Sequence, residues 1–225
     1  MKKLFILICL IFIGCTSKPN PAPENSMSFR YLALGDSYTI GESVPEPERF
    51  PNQLAALLEK EGRTVDVTII ARTGWTTDEL WQGIQAETVT PPYDLVSLLI
   101  GVNNQYRGRD SEEYREGFRF LLNKAIEYAG GDVNRVIVFS IPDWGVTPFA
   151  RGRDAQAIAA EIDAFNQINL EEAQKAGAHY VDVTPVSREA ATNPALIAAD
   201  GLHPSGEMYA EWASSALPIA LTILK

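Results

Sequence analysis

Three residue types that together activate a hydroxyl nucleophile stand near opposite ends of this 225-residue chain: a serine in Gly35-Asp36-Ser37, and an aspartate and a histidine in Asp200-Gly201-Leu202-His203. A serine hydroxyl is a poor nucleophile at neutral pH unless an imidazole takes its proton and a third group holds that imidazole in the right tautomer. The chain has only two histidines. His179, in Gly177-Ala178-His179-Tyr180-Val181-Asp182, sits at the start of an apolar run and reads as a strand-edge residue without chemistry. His203 is then the general base. Asp200 precedes it by three positions, and Gly201 lets the backbone turn tightly enough for the carboxylate to reach Nδ1 while Nε2 faces a nucleophile. Such a constellation performs acyl transfer through a covalent serine intermediate.

The elements around these residues decide whether they can meet. Gly, Asp and Ser are ordinary turn residues, so Gly35-Asp36-Ser37 alone is also a plain strand exit. It follows the apolar run 29–34, which predicts a buried strand with Ser37 at its carboxyl end, the edge where open α/β sheets bind ligands. Gly35 permits a sharp exit that exposes the hydroxyl. Two further predicted strands end in potential oxyanion donors: 65–71 leads into Arg72-Thr73-Gly74-Trp75, and 94–100 into Gly101-Val102-Asn103-Asn104.

With these four blocks in order, the chain resembles the SGNH (GDSL-type) hydrolase family. That family places its nucleophile in a Gly-Asp-Ser block after the first strand and a glycine after the second. An asparagine in Gly-x-Asn follows the third, and Asp-x-x-His precedes the last helix. The resemblance covers nearly all of the chain after its N-terminal segment. It implies that Ser37 attacks an acyl carbonyl, His203 accepts its proton and Asp200 orients His203. It also implies that the backbone N–H groups of Ser37 and Gly74 and the side-chain amide of Asn103 hold the oxyanion, donors worth roughly 2.7 to 4 kcal/mol apiece in acyl transfer. Asn104 stands where many members carry aspartate, and is expected to shape the loop rather than react. The Gly-x-Ser-x-Gly elbow of α/β-hydrolases is absent, which argues against that fold.

The rest of the chain alternates strand and helix. A helix is predicted over 51–61, with Leu54, Leu57 and Leu58 on one face. Thr76-Thr77-Asp78-Glu79 reads as a capping box opening a helix through Leu80, Trp81 and Ile84. Residues 111–128 repeat apolar side chains at Tyr114, Phe118, Leu121, Leu122 and Ala125, and 135–140 is a fourth strand. A long helix over 154–176, stopped by Gly177, leads to a fifth strand at 179–183, and 207–224 closes the chain. Strands separated by helices imply βαβ crossovers. The predicted fold is α/β: a three-layer α/β/α sandwich with a flavodoxin-like five-stranded parallel sheet, in one domain over 29–225.

Residues 1–14 stand outside that pattern. Met1-Lys2-Lys3 and the apolar run 4–13, too short to span a bilayer permanently, read as an export signal. Its end, Phe12-Ile13-Gly14-Cys15, resembles a bacterial lipoprotein cleavage box, although Phe12 stands where leucine is commoner; an ordinary signal with an incidental cysteine is the alternative. Cys15 would carry the lipid, and the Pro/Ser/Asn-rich stretch 15–28 would tether the domain to the bacterial cell envelope. Cys9 would be discarded with the signal, so no internal disulfide is expected.

Composition narrows the partners. Twenty-nine acidic against 19 basic residues, a net charge of −10, disfavour nucleic acid. Two histidines and no His-Glu-x-x-His leave too few soft ligands for zinc, and no cofactor is expected. The partner is a small-molecule, lipid or glycan ester. Residues beside the motifs are the candidate substrate contacts: Asp36, Tyr38, Thr39, Trp75, Asn104, Gln105, Tyr106, Arg107 and, in the loop 142–149, Trp144. An aromatic in such a loop either lines a site or packs the loop down. Arg107 either meets a phosphate or carboxylate on the substrate or bridges to Asp110. Hydrolysis of lysophospholipid, acyl or acetyl esters is the expected activity. Acyl transfer to another acceptor and a non-catalytic glycan-binding lipoprotein are the alternatives.

Overall fold

The apolar runs between turn signals form five strands: β1 (Phe29–Gly35), β2 (Val65–Ala71), β3 (Leu95–Leu99), β4 (Val136–Phe139) and β5 (His179–Val181). The structure, a computed structural model, describes residues 28–225, so the signal expected at 1–14 and the tether up to residue 27, with Cys15, lie outside the described residues. The strands make one sheet in the order β2-β1-β3-β4-β5, and every neighbouring pair is parallel. Every residue of β3 and β4 is buried, as expected of strands covered on both faces, whereas the edge strand β2 leaves Asp66 and Thr68 exposed.

Eight helices are described, in chain order α1 (Ser37–Ile40), α2 (Phe50–Lys60), α3 (Thr77–Ala86), α4 (Val102–Tyr106), α5 (Ser111–Tyr128), α6 (Ala155–Ala176), α7 (Thr184–Glu189) and α8 (Gly206–Ile223). The long ones fall where the apolar periodicity places them. Thr76 and Glu79 form the capping box that opens α3, and α6 ends on Gly177 in the left-handed conformation at φ 83°. Helices α1, α4 and α7 were not expected. They have four to six residues, too few for any periodic pattern, and at α1 a single cap side chain, that of Asp36, starts the turn. Among the described residues no helix is long and apolar enough to cross a membrane.

α2 packs with α8, and α3, α5 and α6 form a second packed group, which gives the three-layer α/β/α arrangement. Between α8, α2 and the sheet the core is aromatic. The Phe50 ring lies 4.9 Å from that of Phe139 on β4, 6.0 Å from Trp212 and 6.3 Å from Tyr209, centroid to centroid. On the other side Tyr114 of α5 stacks on Phe165 of α6 at 4.5 Å. Because the chain passes from β1 outward to β2 while the sheet continues on its other side through β3, the connections at the carboxyl ends of β1 and β3 diverge and leave a crevice between them.

Phe50 is fully buried and joins three aromatic partners from two elements. Phe50→Ala should therefore destabilise the protein by about 3 to 5 kcal/mol, read as a lowered midpoint in urea unfolding. A loss under about 1 kcal/mol would mean that this face does not depend on the α2–α8 contact.

Candidate active site

The crevice between β1 and β3 receives its first side chain from α1. Gly35 ends β1 against Leu99 of β3, and a Cβ at Gly35 would collide with the Leu99 carbonyl and the Thr39 side chain. The chain can then turn at once. Asp36, entirely buried, caps α1 by accepting the Tyr38 N–H at 3.0 Å, which places Ser37 at the first helical position. Ser37 is only 5% exposed; it lines a cleft rather than standing proud of the surface as the sequence suggests.

The second contribution comes after β3. Gly101, at φ 130°, again has no room for a Cβ because the Tyr114 hydroxyl sits against it, and α4 begins there with Val102 and Asn103 facing the cleft. Helix α4 also grips the loop after β2. Asn103 Nδ2 donates to the Trp75 carbonyl at 2.9 Å, and its other proton has only a long contact, 3.4 Å, with Asp36 Oδ2. Asn104 Oδ1 accepts from the Thr77 N–H at 3.1 Å, and its Nδ2 donates to Thr77 Oγ1 at 3.0 Å. Arg107 donates to the Gly74 carbonyl at 2.6 Å and pairs with Glu79 at 3.0 Å, the same carboxylate that caps α3. These ties hold Gly74, at φ 86°, on the cleft wall. Among the described residues neither the Gly74 N–H nor the Ser37 N–H donates to a protein acceptor.

The third contribution is the loop before α8. Gly201, at φ 74°, closes a turn in which Asp200 Oδ1 accepts the backbone N–H groups of Leu202 and His203 at 2.9 and 3.0 Å. Asp200 Oδ2 lies 2.6 Å from His203 Nδ1. Partial burial would raise the Asp200 carboxyl, but the hydrogen bonds from His203, Leu202 and Ser43 outweigh it and hold it at about 2. An ionised carboxylate only accepts, so Nδ1 carries the proton, and a neutral His203 presents a free Nε2 lone pair. His203 and Ser37 line the same cleft, with Tyr38 edge-on to the imidazole at 5.6 Å.

The cleft encloses about 160 Å³, and apart from Thr73 its remaining wall is largely apolar: Val102, Leu202, Tyr106, Trp144 and Phe149. Trp144, only 4% exposed, is fixed through its Nε1–H, which donates to Gln105 at 2.9 Å, while Gln105 donates in turn to Glu161 at 2.6 Å. Tyr106 and Phe149, each 44% exposed, form the lip. The Arg153 guanidinium lies over the rings of Tyr106, Trp144 and Phe149 at 5.0, 5.2 and 5.6 Å.

The structure thus brings Ser37, Gly74, Asn103 and His203, with Asp200 behind it, to one place, together with Tyr38, Tyr106 and Trp144. Other sequence expectations need correction. Trp75 does not line the cleft: its indole packs against Gly83 of α3, where the missing side chain makes room. Asp36 and Asn104 are buried supports rather than cleft surface. Arg107 reaches Glu79 and Gly74 instead of Asp110, because the Asp110 carboxylate caps α5 by accepting the N–H groups of Glu112 and Glu113. His179 meets the Asn134 carbonyl, far from the site in the sheet order. The sequence carried no signal for Val102, Leu202 and Thr73 as cleft residues. Among the described residues no three His, Cys, Asp or Glu side chains converge as a metal site requires.

Burial pushes the Asp36 carboxyl up to about 7, only partly offset by the hydrogen bonds from Tyr38 and Asn103. The folded state therefore holds a proton that the unfolded chain releases near its ordinary value of 3.8, so this group's contribution is full below about pH 4 and is lost as pH rises through about 7. Asp36→Asn keeps a cap and removes the titration. Its urea midpoint should gain on that of the unsubstituted protein between pH 4 and pH 8. A difference that stays constant across that range would show that burial does not keep Asp36 protonated.

A profile of the GDSL-like Lipase/Acylhydrolase family matches residues 33–211. No curated protein matches the chain in sequence. Among solved structures, the chain is similar to a lipase/acylhydrolase from Enterococcus faecalis, with a TM-score of 0.68 and 20% identity over 88% of this chain and 97% of that one. It is similar also to a member of the lipolytic protein G-D-S-L family from Veillonella parvula (TM-score 0.65, 22% identity, 85% and 97% covered). A third is Axe2, an acetylxylan esterase from Geobacillus stearothermophilus (TM-score 0.66, 19% identity, 85% and 94% covered). These likenesses are in fold, the five-stranded parallel sheet flanked by helices. With the profile spanning the chain from β1 into α8, the protein belongs to the GDSL-like lipase/acylhydrolase family of ester-hydrolysing enzymes.

Proposed function

We propose that this protein hydrolyses carboxylic esters of short acyl chain through an acyl–Ser37 intermediate. The observation that carries the reading is the 2.6 Å contact between Asp200 and His203 Nδ1 beside a cleft that Ser37 also lines. His203 Nε2 takes the Ser37 proton as the hydroxyl oxygen attacks the acyl carbon, and returns it to the departing alcohol oxygen. Water then repeats the cycle on the acyl–enzyme, with His203 again as base. Asp200, ionised throughout the neutral range, keeps the imidazole in the tautomer this requires and stabilises its charged form.

The negative oxygen of each tetrahedral intermediate faces the N–H groups of Ser37 and Gly74. The Asn103 amide proton with only the long contact to Asp36 turns toward it. Short acyl chains follow from the cleft: about 160 Å³ with apolar walls is below the roughly 300 to 1,000 Å³ of sites that enclose larger ligands, so a long fatty chain finds no enclosure there. The envelope reading from the sequence belongs to the same proposal: export, and a lipid on Cys15 that leaves the domain on the stretch 15–28.

On p-nitrophenyl esters from acetate to decanoate, kcat/KM should be highest at the short end. Ser37→Ala and His203→Ala should each lower kcat by about 10⁶, to the assay floor. Asn103→Ala should lower it by about 10² to 10³. Turnover that survives Ser37→Ala would overturn the mechanism, and a rate climbing steadily with chain length would overturn the substrate class. For the anchor, the protein made in a bacterial host should fractionate with membranes, and Cys15→Ala should abolish labelling by a radioactive fatty acid. Equal labelling of both proteins would remove Cys15 as the lipid site.

A further inference from the structure

The turn that follows α1 connects to two of the loops around the cleft, the one after β2 and the one before α8. Gly41 caps α1 in the left-handed conformation, and the next residues, Glu42 and Ser43, reach outward. Glu42 accepts a hydrogen bond from the Thr73 hydroxyl, next to Gly74. Ser43 donates to Asp200 Oδ2 at 2.8 Å, the oxygen that also accepts from His203 Nδ1. Asp200 thus has four donors: the N–H groups of Leu202 and His203 on one oxygen, and the His203 ring and Ser43 on the other. Three of them belong to its own loop. Only Ser43 comes from elsewhere, six residues after Ser37.

Ser43 also stands in a backbone conformation that a serine adopts at a cost. Its φ is 66°, and among the described residues it is the only non-glycine with a positive φ; ten glycines occupy the other such positions. A relaxed turn here would use glycine, which reaches this region freely. Strain retained at a residue whose side chain holds the carboxylate behind the base points to a task for that side chain. We propose that Ser43 is a positioning residue: its hydroxyl fixes the Asp200 carboxylate, and through it the His203 ring, relative to the helix that carries Ser37. The inference rests on the acyl-transfer reading above, and it names a residue that the four motif blocks do not contain.

Ser43→Gly removes the hydroxyl and relaxes the backbone, so it separates the two effects. The expected result is a melting temperature equal to or above that of the unsubstituted protein, kcat on p-nitrophenyl acetate lowered about three- to tenfold, and KM unchanged, since Ser43 does not line the cleft. A second readout needs no turnover. Without Ser43 drawing on Oδ2, the carboxylate attracts the imidazolium more strongly, and the His203 titration midpoint in nuclear magnetic resonance should move upward while that of His179 stays still. Asp200 is the charged group in contact with His203. Tyr38, on the imidazole's other side, stays neutral because burial pushes its hydroxyl far up, and Asp36 at the start of the same helix is unchanged in the variant.

Unaltered kcat with an unmoved His203 midpoint would overturn the proposal while leaving the esterase reading intact. A fall in kcat that comes with a lowered melting temperature and an unmoved midpoint would also overturn it, as a plain loss of turn stability. If the unsubstituted protein turned over no ester at all, the esterase reading would fail. The His203 midpoint would then decide alone whether Ser43 acts on the Asp200–His203 pair.

Discussion

Parallel pairing of β1 with β3, in the register that sets Gly35 against Leu99, is the constraint from which the cleft follows. Two strands adjacent in space but separated in sequence by β2 send their chains apart at their carboxyl ends and leave a crevice between those exits. Gly35 and Gly101 make the exits abrupt. At each a Cβ would strike a neighbour, the Leu99 carbonyl in one case and the Tyr114 hydroxyl in the other. A side chain at either position would push α1 or α4 away from the crevice, and Ser37 and Asn103 would move with them. The hydrophobic sheet thus determines where the reacting groups can stand, and two missing side chains determine how near.

What the sheet does not provide is the loop after β2, which leaves from the exposed edge and has no strand beyond it. That loop is held by polar ties from α4 instead. Asn103, Asn104 and Arg107 together engage the backbone of Gly74, Trp75 and Thr77 and the side chains of Thr77 and Glu79. Buried amide pairs such as Asn104 with Thr77 lose little to water and hold their geometry. Arg107 with Glu79 is partly exposed and contributes less energy than direction. Burial of Asp36 has the opposite character. Enclosing a carboxyl so fully that it is driven up to about 7 costs stability at neutral pH, while its cap on α1 is what sets Ser37 at the helix start. Stability and the placement of the nucleophile pull against each other at that one residue.

The major elements were legible in the sequence because each has a period. β3 and β4 read as unbroken apolar runs, α5 begins and ends at the predicted residues, and α6 stops at the glycine that can turn left-handed. The motif residues were legible because their spacing has chemical meaning: Asp200 and His203 are three apart, and the turn between them closes on a glycine. What escaped was decided by single neighbours. Trp75 leaves the cleft because Gly83, eight positions later, has no side chain to keep its indole out, and nothing in the local sequence of Trp75 records that. Arg107 turns from Asp110 because that carboxylate is already engaged by a helix terminus. Ser43 is silent in sequence, since one residue's φ leaves no pattern. The short helices α1 and α4 are silent because four or five residues cannot show a period.

The aromatic residues of the cleft wall differ in how deeply they are buried, and this bears on the reaction. Trp144 is almost buried and bonded through Gln105 to Glu161, so its indole has one orientation. Tyr106 and Phe149 are nearly half exposed, and they are held to Trp144 by edge contacts and to Arg153 by its guanidinium. On the acyl-transfer reading, the part of the substrate that stays on Ser37 gains from a wall already in place, because ordering it during the reaction would raise the barrier. The side chains that set this contrast lie largely outside the motif blocks, in the loop after β4 and at the end of α4.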